Sequence, residues 1–302
     1  MTVDASVHRT YGQTTQRTSR LPVLQRFASR LLLASTLALF AQLALTGTTF
    51  GAVPNPDGLA APSGGPSGHG GGDGGGGQAR AGFDISYPQC GATYPANPLF
   101  GIVGVNGGKV FSANPCLAGQ ITWAGGATGQ LYANTGNPGP AVSHFWPSGQ
   151  TSPRYCDPVN LDTADCAYDY GYNAAQDSYA TASAAYSQLG LTGSPSSTRW
   201  WLDVETENSW RSDTSLNIAA LQGEVAYLRD VAGVARIGFY STQLQWNTIT
   251  AGTLAFNANP SWVAGASSLK AARDRCSRPA FTGNVNVYTQ YPYQGFDANN
   301  VC

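Results

Sequence analysis

Residues 199–205 read RWWLDVE, and residues 206–211 continue TENSWR. Within this apolar run an aspartate, Asp203, and a glutamate, Glu205, stand two positions apart. Near-continuous apolar runs suit strands buried on both faces, as in a parallel sheet. Residues i and i+2 of a strand point to one side, so the two acids share a face, roughly 7 Å apart at Cα in a regular strand. Only 11% of the chain is charged. A buried, unpaired carboxylate is costly, so such a pair calls for a reason. The reason is either chemistry or a mundane partner, a helix cap or Arg211.

Working outward, comparable runs recur. GFDIS (82–86), FGIVGV (100–105) and QLYANT (130–135) precede the quoted stretch, and RIGFYS (236–241), SWVAGA (261–266) and NVYTQY (286–291) follow it. Helical patterns lie between them. Tyr172, Tyr179 and Tyr186 recur every seven residues, with Leu189 three further on, which draws one buried stripe. Ile218, Leu221, Val225 and Leu228 draw another, with Ser212 or Asp213 to cap its start and Gly233 its end. Strand–helix alternation over about 220 residues points to an α/β fold, either an irregular (β/α) TIM-like barrel or a doubly wound sheet. No G-x-G-x-x-G fingerprint sits at a strand–helix junction, which lowers the second option.

The chain has 302 residues and a formal net charge of −1. That balance offers no basic face for nucleic acid. Arg17, Arg20, Arg26 and Arg30 precede the apolar segment 31–45, and TFGA ends at Ala52 as a cleavage site, so 1–52 reads as an export signal or an uncleaved membrane anchor. The apolar run is short for a bilayer span, which needs about 20 residues. Residues 53–80 are Gly, Pro and Ser with little to bury, and read as a flexible linker. The folded domain is then 81–302.

All six cysteines lie in that domain. An even count behind an export signal suggests three disulfides, with 15 possible connectivities. Neighbour pairing, Cys90–Cys116, Cys156–Cys166 and Cys276–Cys302, closes the shortest loops. Of three histidines only His144 is in the domain, so a multi-histidine zinc site is excluded, and no G-x-S-x-G elbow is present. Asp157, Asp162, Asp165 and Asp169 crowd one segment, but their spacing does not match an EF-hand loop.

Carboxylates remain as the chemistry. At the C-terminal end of a barrel strand the shared face of Asp203 and Glu205 is the barrel mouth, where active sites of such barrels sit. Two close, half-dried acids cannot easily both ionise, which makes one proton donor and one anion. That pair is the equipment for glycoside hydrolysis. Trp200, Trp201 and Trp210 would supply apolar walls.

GFDIS, WLDVE and YTQYPYQGFDANN resemble, in order, three landmarks of the muramidases grouped as glycoside hydrolase family 25: an opening D-x-S strand, a D-x-E fourth strand, and a closing W-Q-Y strand followed by aspartate. IGFYST, WVAG and FGIVGVNGG resemble further strands of that family. The resemblance implies a somewhat irregular barrel and cleavage of the β-1,4 bond between N-acetylmuramic acid and N-acetylglucosamine in peptidoglycan. It implies Glu205 as general acid and Asp203 as the group that orients the N-acetyl or faces developing positive charge. Asp84 and Asp297 would maintain hydrogen bonds and charge balance, and Tyr132, Trp201, Tyr240 and Gln290 would contact sugar. The family's G-A-Y-H-F strand is here QLYANTGNPG, which keeps Tyr132 but not the histidine, and a long segment with two cysteines (136–172) follows. Thr289 replaces the tryptophan before Gln290.

The expectation is a secreted, disulfide-bonded, monomeric peptidoglycan glycosidase with no cofactor or metal, touching membrane only through an uncleaved N-terminus. Its partner would be bacterial cell-wall glycan. Its rivals are a barrel that binds glycan without cleaving it and an inert envelope protein.

Overall fold

The structure, a computed structural model, describes residues 81–302. The expected export segment (1–52) and linker (53–80) lie outside the described residues. Eight strands close a barrel in chain order. They are β1 Gly82–Ile85, β2 Gly101–Gly104, β3 Gln130–Asn134, β4 Arg199–Asp203, β5 Arg236–Ser241, β6 Ser261–Val263, β7 Asn286–Tyr293 and β8 Phe296–Val301. Five helices join them: α1 Leu117–Trp123, α2 Ala164–Gln188, α3 Thr214–Ala226, α4 Gln243–Thr250 and α5 Leu269–Cys276.

Strands β1 to β7 run parallel, each hydrogen-bonded to the next. Strand–helix alternation holds from β2 to β7. It fails at both ends of the domain. Only a single 3-10 turn, Tyr87–Gln89, marks the path from β1 to β2. The eighth strand, absent from the sequence reading, runs antiparallel between β7 and β1 and closes the barrel. A two-residue hairpin delivers it. Gln294 (φ 52°) and Gly295 (φ 79°) both take the left-handed conformation, which suits the right-handed twist of the flanking strands. The FDANNV strand escaped notice because its apolar residues are few and its turn carries Gln-Gly rather than Asn-Gly.

Outside the strand ring, the tyrosine stripe of α2 meets α3: Tyr172 packs edge-on against Tyr227, and Tyr179 stacks obliquely on Trp200 of β4. Asp213 caps α3 through the Ser215 N–H, as its position suggested. The helix runs on as a wider turn through Val231, and Gly233 takes the left-handed conformation just beyond it (φ 74°). Inside the ring, Ile102, Trp201, Trp262 and Tyr288 fill the barrel. Gly238 admits the Trp201 indole: a Cβ on it would lie 2.3 Å from the ring. Large rings stacked this way exclude water from the floor of the mouth above them.

The three bridges are Cys90–Cys116, Cys156–Cys166 and Cys276–Cys302, the neighbour pairing expected from loop length. The last ties the end of β8 to α5. Among the described residues no helix is long and apolar enough to cross a membrane.

Candidate active site

Alternation along each strand decides what reaches the mouth. On β4, Trp200 and Leu202 face the helices, while Trp201 and then Asp203 face inward. Asp203 is only 3% exposed. Its Oδ2 accepts from Asn134 Nδ2 at 2.6 Å, and its Oδ1 has no N–H or O–H partner. Asn134, the last residue of β3, is itself held by Asn106: the Asn134 N–H donates to the Asn106 side chain and its carbonyl accepts from the Asn106 amide.

The strand ends at Asp203, so Glu205 lies in the turn beyond it rather than on the strand. The ladder still guides the chain that far, because Val204 N–H donates to the Tyr240 carbonyl at 2.9 Å. The Glu205 carbonyl accepts from the Trp210 indole at 2.8 Å and from Asn208 N–H at 3.2 Å. That clamp turns its half-buried carboxyl back toward Asp203, close enough to share a proton. Burial first, then the neighbouring Glu205, push the Asp203 carboxyl well above its usual range. Burial and then Glu207 push Glu205 up to about 7, against the pull of bonds from Asp203 and Gln245. The orphan oxygen of Asp203 thus faces a partner that bonds it only through a proton. Both carboxyls are raised, and the pair titrates as a unit. Neither acid is neutralised by Arg211, whose guanidinium makes a two-pronged bridge to Asp162 at 2.7 and 2.6 Å.

Across the mouth, Asp84 of β1 is 7% exposed. Gln290 Nε2 donates to both its oxygens, at 2.8 and 3.0 Å, and Asn299 Nδ2 donates to Oδ1 at 3.3 Å. Tyr240 OH donates to Gln290 Oε1 at 2.8 Å. Trp262 Nε1 donates to Asn299 Oδ1 at 2.7 Å and packs on the Tyr240 ring at 4.4 Å. These five side chains form a closed circuit, Tyr240–Gln290–Asp84–Asn299–Trp262. Burial and then Asp297 raise the Asp84 carboxyl, while the two amides pull it down. Asp297 sits opposite Asp84 across the β1–β8 pairing, on the open rim, and is raised by partial desolvation.

The structure therefore gathers Asp84, Asp203, Glu205, Asp297, Tyr132, Tyr240 and Gln290 at one mouth. Burial, then the Asp203 charge, raise the half-buried Tyr132 phenol. Trp201 is not among the groups a ligand could touch. It lies wholly buried one layer below, its indole N–H given to Gln130 Oε1 at 3.0 Å. Trp200 faces the helices, and Trp210 acts on the Glu205 backbone, so the tryptophans flanking the acids line no open wall. The sequence reading missed Asn134, Asn299 and Trp262. For Asn134 a signal was present, since it follows inward-facing Tyr132 by two residues on β3.

Residues 158–271 match the model of a family described as Lysozyme-like protein 1. No curated protein matches the chain. Among solved structures, a muramidase from Trichobolus zukalii is 18% identical, with a TM-score of 0.46, over 74% of this chain and 94% of that one. A bacterial lysozyme from Streptomyces coelicolor is 16% identical, with a TM-score of 0.45, over 74% and 91%. The domain is lysozyme-like over its matched stretch, which runs from the cystine-tied segment before α2, through β4 and its acid pair, into α5.

Proposed function

We propose that the chain is a glycosidase of the muramidase kind, cleaving β-1,4 bonds of peptidoglycan with Asp203 and Glu205. The observation that carries this reading is the proton-sharing pair, raised by burial and set in the barrel mouth without a cation to neutralise it. Glu205, the less buried member, donates its proton to the glycosidic oxygen as the C–O bond breaks, and water then bonds to the anomeric carbon and returns a proton to Glu205. In the bond-breaking step the pair gains negative charge as the sugar ring gains positive charge, which is the differential stabilisation catalysis requires. Asp203, anchored by Asn134, orients the N-acetyl group beside that charge. Tyr240 and Gln290 present the polar edge of the opposite wall, and Asp84 holds that wall in place. In this reading the Arg-flanked segment exports the domain and the Gly-rich linker gives it reach along the wall polymer.

Reducing-end release from purified peptidoglycan tests the proposal. Release by the wild type and none by Glu205→Gln supports it. Binding without release by the wild type between pH 4 and 8 overturns it in favour of a non-catalytic glycan-binding barrel.

A further inference from the structure

Beside the acid pair opens a cleft of about 500 Å³. Its walls come from the loop after β2, the segment after β3 and the turn that follows Glu205, with Tyr170 of α2 at its base. A ladder of rings runs through it. Phe145, 55% exposed, stacks on Phe111 at 4.4 Å and 14°. Phe111 meets Tyr170 edge-on at 5.4 Å, and Tyr170 stacks on Trp146 at 4.9 Å. Phe111 holds its ring there from a backbone φ of 54°, a conformation that bulky residues rarely adopt and that clusters at functional sites.

The cleft is built onto the acids. Thr135, in its wall, donates its hydroxyl to the Asp203 carbonyl at 2.6 Å, and Asn208, also in its wall, holds the Glu205 carbonyl. The side-chain Nδ2 of Asn208 has no acceptor. The cystine-tied segment is locked to the same turn by the Arg211–Asp162 bridge and by Asn137 N–H on the Ser209 carbonyl at 2.8 Å.

We propose that this cleft is a sugar subsite: it holds amino-sugar residues of the glycan strand that adjoin those spanning Asp203 and Glu205, with the Phe145–Phe111 pair as the stacking platform. The inference rests on the glycosidase reading above. A flat apolar face bordered by hydroxyl and amide groups fits a pyranose ring with an acetamido arm. Lys109 and Glu207, the charged wall residues, have opposite signs, so the cleft has no charge excess to select an acidic stem peptide.

The test is calorimetric binding of peptide-free glycan strands, six or more sugars long, to Glu205→Gln protein, with and without Phe145→Ala. Phe145 is exposed, so its truncation does not threaten the fold, and Phe145→Trp serves as the conservative variant. An exposed stacked ring is worth up to about 1.5 kcal/mol, so Phe145→Ala is expected to weaken binding about 5- to 10-fold, with Phe145→Trp within about twofold of the parent. Strands that bind equally well to both proteins overturn the subsite and leave the glycosidase reading untouched. A Phe145 effect seen only with peptide-bearing strands overturns it in favour of a stem-peptide site. Hydrolysis is scored separately with Glu205 intact: strand binding without cleavage overturns the catalytic reading alone, whereas neither binding nor cleavage overturns both.

Discussion

The mouth of the barrel has two acidic walls, each with a buried aspartate raised well above its usual range, and they differ in how that aspartate is bonded. On the β1–β8 wall Asp84 is gripped by three amide contacts from Gln290 and Asn299, which reach both of its oxygens. On the β4 wall Asp203 has one amide, from Asn134, and an oxygen with no partner but Glu205. The residue type is the same and the burial similar. What differs is the supply of N–H groups. A carboxyl held at both oxygens by amide donors is a fixed anchor. A buried carboxyl short of donors and set against a second carboxyl favours its protonated form, and a proton held there is one that can be given away.

The sharpest attempt to break this contrast is removal of the proton donor. Glu205→Gln is expected to lower reducing-end release about 10²- to 10⁴-fold, the range for a general acid. The pH dependence of kcat/KM sharpens the same point. Glu205 is raised to about 7, so the donor form is present below that value and activity falls as pH rises through it. A flat profile to pH 9 would contradict the assignment. The sign for stability is the same. Glu205 keeps its proton in the folded state between its ordinary value of about 4.3 and about 7. Its share of stability is complete below that window and is lost as pH rises through it.

Swapping each aspartate for asparagine compares the walls directly. Asparagine at 203 can accept from Asn134 and donate to Glu205, mimicking the protonated form. Asp203→Asn should therefore keep or raise the melting temperature while losing activity. Asparagine at 84 would point an NH2 at the donors of Gln290 or Asn299. Asp84→Asn should cost about 1–3 kcal/mol, the penalty for an unmade buried bond. Equal melting temperatures for the two variants would erase the distinction.

Two smaller effects probe the supports of each wall. Loss of Cys276–Cys302, by paired serine substitution, frees β8 and should cost about 3 kcal/mol in denaturant unfolding. Loss of the partly exposed Arg211–Asp162 bridge beside β4, by Arg211→Gln, should cost at most about 1 kcal/mol because solvent screens it. A larger loss from Arg211→Gln would show that the cystine-tied segment carries the β4 turn.

Much of this was legible in the chain itself. Strands β1, β2 and β4 announce themselves as apolar runs, because a strand buried on both faces has little polar face to show. The D-x-E spacing singled out the two acids, and the six cysteines paired as their loops suggested. Glu205 still ended beyond the strand, where hydrogen bonds to its backbone, and not the period of two, aim it. Trp201 obeyed the same alternation as Asp203 but lay one layer deeper, so a residue expected at a sugar became floor.

By itself, then, the sequence determined which side of each strand a residue faces and which residue types were available for chemistry. Only the tertiary structure decided who meets whom across the mouth. Asp84 lies 206 residues from Gln290 and 215 from Asn299. Their contact exists because β8 turns back antiparallel and closes the ring. Periodicity is a property of one segment, whereas the donors that fix a carboxylate's charge come from segments brought together by closure.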